Sequence, residues 1–439
     1  MTVHNYITGS RAVEIEGSIE AGIRAGRLAP GEQLPTIRGC AEALGVSPAT
    51  VASAYRALRE RGLVLSRGRR GTRVSLQPPL PTARAARPPP HVRNLAEGNP
   101  DPAFLPALGP ALAKLDPPPR LYGEELSLPA LLALERRLFN ADGVPSRHLT
   151  IVSGALDGIE RVLLARLRPG DRVAVEDPGF TAVLALLRTL GLVAVPVAID
   201  DSGMRPEPLE RRLREGVAAL IVTPRAQNPT GAALDAPRVR QLRRVMAAAP
   251  EVLVIEDDHA GPVAGVPAAT LCRARERWAV VRSHSKALGP DTRVAALAGD
   301  EETIARIEGR QLIGMRWVSH VLQRLVVALW SQRGTAGLLA KAAARYTRRR
   351  SALIEALAVH GIEAHGRSGL NVWIPVPEES PIVSGLLDRG WAVAAGESFR
   401  IESTPAIRVT TVDLEPRAAR ELAGDLAALL RPPARTHVA

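Results

Sequence analysis

Lysine is almost missing from this chain. Of the 57 Lys and Arg residues among 439, only Lys114, Lys286 and Lys341 are lysines, which leaves 54 arginines. None of the three follows a glycine, so there is no phosphate-binding loop ending in Gly-Lys-Ser/Thr, and no GxGxxG fingerprint occurs. Cysteine is as scarce: Cys40 and Cys272 are too few for a disulfide framework or a cysteine-based zinc site, and no metal is expected. No uncharged run is long enough to span a membrane. Residues 1–30 carry acids and no apolar core, which is not the pattern of a signal peptide. The expected setting is the cytoplasm, with no membrane partner.

The rest of the composition is that of a folded protein, 46% apolar and 23% charged, and the length fits two or three domains. A net charge of +12 invites a nucleic-acid partner. Arginine at the expense of lysine, beside much Ala, Leu, Gly and Pro, is also a mark of compositional bias. The charge therefore permits DNA binding without establishing it. Residues 78–93, PPLPTARAARPPPHVR, hold six prolines and no apolar periodicity. Such a stretch is extended and semi-rigid. It divides the chain into a domain over 1–77, a linker over 78–94 and a domain over 95–439.

Before the linker the pattern is helical. Ala12, Ile15, Ile19 and Ile23 form one apolar stripe. Thr36 can cap a second helix, Ile37 to Leu44, that stops at Gly45. Ser47 can cap a third with Pro48 in its first turn, burying Val51, Tyr55 and Leu58. LVLS and TRVSL, separated by RGRRG, read as a hairpin whose tip carries Arg67, Arg69 and Arg70. Three short helices and a basic hairpin make a winged helix-turn-helix, which places its third helix in the major groove of double-stranded DNA. A small protein-interaction module with an incidentally charged hairpin is the alternative. The stretch GRLAPGEQLPTIRGCAEALGVSPATVASAYRALRERGLV, followed by GTRVS, resembles the GntR family of bacterial regulators. That resemblance implies a base contact from Arg38 and family positions at Thr50 and Gly71. Pro48 and Ala52 stand where many members carry arginine, which shifts DNA contact toward Arg38, Ser47, Thr50, Ser53 and the wing.

After the linker, HLTIVSG, DRVAVEDP, AALIVTP, VLVIEDD and WAVVRSHS recur between helical stretches. Val/Ile-rich strands alternating with helices predict an α/β domain with a mostly parallel sheet, whose functional residues gather at the carboxyl ends of the strands. Polar tails sit at those ends: Ser153-Gly154-Ala155, then Glu176 to Phe180, Asn228-Pro229-Thr230-Gly231, Glu256 to His259, and Ser283 to Lys286. A lysine at a buried strand end loses its proton readily and can form a Schiff base with an aldehyde. Pyridoxal 5′-phosphate needs such a lysine, a carboxylate at its ring nitrogen and a phosphate cradle. Lys286, Asp257 and the helix start at Ser153-Gly154-Ala155 fit those needs, with Ser283, Ser285 and Arg293 adding hydroxyls and charge. Phe180 can lie against the ring face, and Asn228 can donate to the ring's 3-oxygen. Taken singly, the lysine reads as surface, Phe180 as core, Asp257 as a loop cap and NPTG as a turn. Their order and spacing together favour the cofactor.

Residues 95–415 resemble the class I aminotransferases of fold-type I, through VSGALDG, VEDPGF, TPRAQNPTG, VIEDDHA and SHSKALGPDTR in family order. The resemblance implies that Lys286 is the cofactor's Schiff-base lysine and Asp257 its ring-nitrogen partner. It also implies that Tyr122 reaches the phosphate of a neighbouring subunit and that Arg408 clamps a substrate α-carboxylate. A large part over about 121–310 and a small part over 95–120 and 311–439 are expected. His259 stands where most relatives carry a tyrosine, and Thr181 and Ala182 stand where some place a second carboxylate-binding arginine.

A GntR-like head on an aminotransferase-like body resembles the MocR family of regulators. The resemblance implies transcriptional control through pyridoxal phosphate, alone or with an amino acid or amine effector, in a head-to-tail homodimer. The alternatives are an active aminotransferase with an appended DNA-binding module and a cofactor-less dimerisation scaffold.

Overall fold

The computed structural model describes residues 7–24, 27–29, 31–60, 63–66, 71–75 and 88–431. The chain separates into two compact units, Met1–Arg87 and Pro88–Ala439.

The first unit consists of α1 (Ala12–Arg24), α2 (Ile37–Leu44), α3 (Pro48–Glu60) and the strands β1 (Val64–Ser66) and β2 (Thr72–Val74). The helix ends are set by the expected residues. The Thr36 hydroxyl accepts the Gly39 N–H at 3.1 Å, Gly45 ends α2 at φ 66°, and Ser47 Oγ accepts the Thr50 N–H at 3.1 Å. Ile15, Ile19, Val51, Tyr55 and Leu58 are buried in one core, and the Tyr55 hydroxyl donates to the Pro35 carbonyl at 3.0 Å. β1 and β2 pair antiparallel, with Val64 opposite Val74. Arg67, Arg69 and Arg70 lie outside the described residues.

The second unit begins with β3 (Arg93–Asn94), followed by the helices α4 (Leu108–Leu112) and α5 (Pro129–Ala141). Its main strands are β4 (His148–Val152), β5 (Arg172–Asp177), β6 (Val193–Asp200), β7 (Gly203–Met204), β8 (Ala219–Val222), β9 (Leu253–Asp258), β10 (Trp278–Ser283) and β11 (Ala295–Gly299). They form one sheet in the order β4-β11-β10-β9-β8-β5-β6-β7. Neighbours from β10 to β6 run parallel, while β11 is antiparallel to both β10 and β4. Strand alternation builds a core on each face. Leu253, Ile255, Ala279, Val281, Ala295 and Leu297 face one hydrophobic cluster, whereas Val254, Val280, Ala296 and Ala298 face the other. These runs lack alternating polar residues because both faces are covered by helices.

A smaller sheet joins β12 (Asn371–Pro375), β14 (Ala394–Ala395) and β15 (Ala406–Thr410), while β13 (Trp391–Ala392) pairs with β3. Two boundaries differ from the expected ones. The linker does not extend to residue 94: Val92 is buried and Arg93–Asn94 pairs with Trp391–Ala392, so the stretch from Pro88 folds with the large unit. Nor does the small part start at 311. Leu325, Val326, Leu329, Leu339, Ala342 and Tyr346 pack into the core of the large sheet. The small core instead draws on Leu95 and on Leu353, Leu357, Val372, Ile407 and Leu422. The long helix Thr335–Val359 spans both cores, because its apolar side chains face one in its first half and the other in its second.

Candidate functional site

Six neighbouring strand ends open on one edge of the large sheet. In lateral order they present Ser153–Ala155 after β4, Arg293 before β11, Ser283–Lys286 after β10, Asp257–His259 at the end of β9, Asn228 after β8 and Phe180 after β5. β11 contributes its amino end because it alone of these strands runs antiparallel.

One side of the cleft is built around α6 (Ala155–Arg166), whose N-terminus carries no side-chain cap. Such a helix end offers N–H groups and a positive dipole to an anion. Gly154 precedes α6 at φ 103°, and the Arg293 guanidinium lies against it, donating to the Ser153 carbonyl at 2.8 Å. A Cβ on Gly154 would stand 2.8 Å from Arg293 Nη2, so glycine is needed for this arginine to reach the helix end. Ser283 Oγ donates to Ser285 Oγ at 3.1 Å. The Ser153 N–H does not join this cradle, because it donates to the Asp157 carboxylate at 2.8 Å.

Asp257 is buried in the middle of the edge, and its Oδ1 has no hydrogen-bond partner among the described residues. A buried, unpartnered carboxylate oxygen is costly unless a ligand supplies a donor. His259 Nδ1 stands 3.7 Å from Asp257 Oδ2. Beneath them Glu176 accepts the Thr223 N–H at 3.2 Å, and burial pushes its carboxyl up to about 8. Burial likewise raises Glu256 to about 7.

Lys286 lies in the same cleft with its amine donating to the Gly98 carbonyl. Burial first, and the nearby Arg408 charge second, bring its ammonium down to about 8. Arg408 is buried on β15, donating to Asn228 Oδ1 at 2.9 Å and to the Ala96 carbonyl, over the Phe399 ring at 4.8 Å. The loop bearing Phe399 is fastened to the end of β5. The Asp177 carboxylate accepts N–H groups from Ile401 at 2.9 Å, Glu402 at 2.7 Å and Ser403 at 2.9 Å, and the Ser403 hydroxyl at 2.9 Å. Phe180, two residues past cis-Pro178, is half-buried beside that junction.

Tyr122 does not approach these groups within its own chain. It is 80% exposed and rests against Trp317, with the Arg316 guanidinium 5.0 Å from its ring. In the first unit Arg38, Ser47 and Ser53 are exposed, and the Ser47 and Thr50 hydroxyls bond each other at 2.8 Å. Gly71 enters β2 at φ 78° with Gln33 beside it.

Pyridoxal phosphate fits this donor set: a depressed lysine, an orphaned carboxylate for a ring N–H, and an uncapped helix end with an arginine and two hydroxyls for a phosphate. The described residues contain no group of three or more His, Cys, Asp or Glu placed to hold a metal ion, and no helix long and apolar enough to cross a membrane.

Comparison with known proteins covers both units. Residues 11–74 match the bacterial regulatory proteins of the gntR family, and residues 90–426 match aminotransferase class I and II. The vitamin B6 salvage pathway transcriptional repressor PtsJ of Salmonella typhimurium is 39% identical over 96% of this chain and 98% of its own. This chain belongs to the MocR family.

Another similar relative is the HTH-type transcriptional regulator TauR of Rhodobacter capsulatus, 30% identical over 84% of each chain. Kynurenine aminotransferase from Pyrococcus horikoshii shares the fold of the large unit, with a TM-score of 0.70 and 23% identity over 77% of this chain and 91% of its own. As a MocR member the chain is a transcriptional regulator with a GntR DNA-binding head and an aminotransferase-like body, whose cofactor is pyridoxal phosphate.

The site of this MocR protein also contains pairings that its sequence motifs do not announce. Asp258 is clasped by Arg225 at 2.8 Å and Arg282 at 2.8 Å, and Asp142 closes the knot on Arg282 at 2.8 Å. The two arginines hold the Asp258 carboxyl well below the usual range, against its burial. Between the two serines of the cradle, His284 sits 2.8 Å from the buried Glu135 and accepts the Trp330 indole N–H at 3.2 Å. The His284–Glu135 contact is close but not aligned as a hydrogen bond. Taken singly, Arg225, Arg282 and Glu135 read as surface charge, and only the partner, distant in sequence, shows otherwise. The Ala96 and Gly98 carbonyls carry no side-chain signal at all.

Proposed function

We propose that this regulator senses vitamin B6 through Lys286, and that occupancy of the cleft alters its affinity for operator DNA. The observation that carries the reading is the depressed Lys286 amine sharing a cleft with the unpartnered Asp257 carboxylate in a chain that also has a DNA-binding head. The near end-to-end match to a repressor of vitamin B6 salvage supports it.

When bound, pyridoxal phosphate supplies an aldehyde that primary amines attack, on a ring that draws electrons from the attached carbon. With its ammonium near 8, Lys286 is neutral in roughly a tenth of molecules at pH 7, far more than an exposed lysine. Asp257 would hold a proton on the ring nitrogen of the bound cofactor, which would give its own orphaned oxygen a partner. Arg293, Ser283, Ser285 and the start of α6 bind the phosphate, with Gly154 making room for the arginine. Phe180 would orient the ring, and Asn228 would contact its 3-oxygen, with His259 nearby. Arg408 binds the α-carboxylate of an amino acid effector, positioned by Asn228. The exposed Tyr122 suits a cradle completed by a second copy in a head-to-tail dimer. Arg38, Ser53, the Ser47–Thr50 pair and the wing residues Arg67, Arg69, Arg70 and Gly71 contact DNA, mostly at phosphates.

Titration of the upstream intergenic DNA with and without pyridoxal phosphate tests the reading. Operator affinity must change, and the protein must gain a visible absorbance that Lys286→Ala abolishes; affinity indifferent to pyridoxal phosphate and amino acids overturns it. The Arg408–Asn228 bond at 2.9 Å favours a second reading, an active aminotransferase with a targeting head. Sustained turnover of amino and keto acid pairs, without DNA binding by the same preparation, reverses the order of the two.

A further inference from the structure

Residues 96–100 cross the cleft between two firm anchors. At one end the Leu95 N–H donates to Ala392 and the Leu95 carbonyl accepts from Thr410, both at 2.8 Å. At the other, Asp101 accepts from Arg349 at 2.8 Å and donates its N–H to the Tyr346 hydroxyl at 3.0 Å. Among the described residues, three hydrogen bonds join 96–100 to the rest of the fold: the Ala96 N–H to the side chain of neighbouring Asn94 at 3.1 Å and, across the cleft, Arg408 to the Ala96 carbonyl and Lys286 to the Gly98 carbonyl. Packing does little at Gly98, where an added Cβ would meet nothing within 4 Å, and Glu97 between the two carbonyls is exposed.

We propose that this stretch is a backbone latch, held by the two side chains that engage the ligand and released when they do so. The proposal rests on the reading of Lys286 as the aldehyde-binding amine. An ammonium has three N–H groups to offer. In condensation the lysine nitrogen, having lost one proton to solvent, bonds to the aldehyde carbon. The aldehyde oxygen departs as water, taking the two hydrogens left on nitrogen. The nitrogen then holds no hydrogen, or one regained from solvent whose direction the new double bond fixes, and the Gly98 carbonyl loses its free donor. At Arg408 the competition is between acceptors. A carboxylate forms a charge-assisted bond about twice as strong as one to a neutral carbonyl, so an amino acid ligand displaces Ala96.

The latch has a short route to the linker. Gly98 lies ten residues past Pro88, where the large unit begins, with the two-residue strand Arg93–Asn94 and the anchored Leu95 between them. By linkage, a ligand that frees the latch binds more tightly wherever the latch is already free, so a head that favours one latch state when on DNA alters ligand affinity in return.

The test uses the full chain and a glutamate-specific protease, with the 1–97 fragment read by mass spectrometry. Cleavage after Glu97 follows local opening of the stretch. Pyridoxal phosphate is expected to raise that rate roughly tenfold, the worth of one lost charged hydrogen bond, and adding propionate, a carboxylate with no amine to exchange for the lysine, raises it further. Lys286→Ala is expected to cleave fast without ligand and not to respond. Lys286→Gln, whose amide can still donate to Gly98 but cannot condense, is expected to cleave slowly and not to respond. Visible absorbance recorded on the same samples separates the two ideas. A wild-type band with unchanged cleavage overturns the latch alone, as does equal cleavage of the Ala and Gln variants. No band at all sinks the vitamin B6 reading and ligand-driven release with it.

Discussion

The guanidinium of Arg293 occupies the space that any side chain on Gly154 would need, 2.8 Å from an added Cβ. Gly154→Ala therefore forces the arginine off the start of α6 and also strains a backbone at φ 103°. Backbone strain of this kind costs about 1–3 kcal/mol. Pyridoxal phosphate affinity is expected to fall roughly 10- to 100-fold in an absorbance titration. DNA binding by the head without added cofactor should stay as it was. Unchanged cofactor affinity would remove Arg293 from the phosphate cradle.

Aldehyde capture should report the lysine directly. Only the neutral amine attacks, so the observed rate is expected to climb about tenfold per pH unit below the Lys286 midpoint near 8 and then level off. Arg408 is the second cause of that low midpoint, after burial. Arg408→Gln removes its repulsion, and the whole profile should move to higher pH in stopped-flow measurements. A profile unmoved by the substitution would show that the two charges do not sense each other.

Glu176 makes a prediction about stability. Its carboxyl ionises near 4.5 in the unfolded chain but near 8 when buried. Between those values the unfolded state binds fewer protons, so stability falls as pH rises through that window. Glu176→Gln keeps a carbonyl to accept the Thr223 N–H and removes the charge. Its Tm should exceed that of the wild type by a few degrees, on the order of 2–4 °C, at pH 8.5 and match it at pH 5. Glu256, raised in the same direction, leaves a smaller slope of the same sign in the variant.

In the head, Arg38 serves DNA contact alone, whereas Ser47 also holds the fold. Arg38 is exposed on α2, so Arg38→Ala should cost operator binding roughly 10- to 100-fold in a mobility shift, with Tm unchanged. Ser47 caps α3, so Ser47→Ala should cost stability about 1 kcal/mol. A thermal melt beside each titration distinguishes them.

The local parts of this protein were legible before folding. Thr36, Gly45 and Ser47 mark helix ends because capping depends on a few adjacent residues. The Val/Ile runs with polar tails mark strands and their functional edge for the same reason. Sheet order was not legible, since it brings Ser153 beside Arg293 across well over a hundred residues. Nor was the membership of residues 318–346 in the large core, because an apolar stripe does not say which partner covers it. The Asp258 knot shows the same limit for charge: Arg225 and Arg282 look like solvent-facing arginines until one carboxylate claims both. Ser153 shows it for backbone, its N–H having gone to Asp157 and not to the phosphate cradle.

Asp177 has a mechanical consequence. Four donors from residues 401–403 converge on one carboxylate at the tip of β5, next to Phe180 and just ahead of Arg408. Opening that seam would break four hydrogen bonds to one buried side chain in a single stroke. The Phe180–Phe399 flank thus behaves as a weld, and whatever play the pocket has is concentrated on its opposite bank.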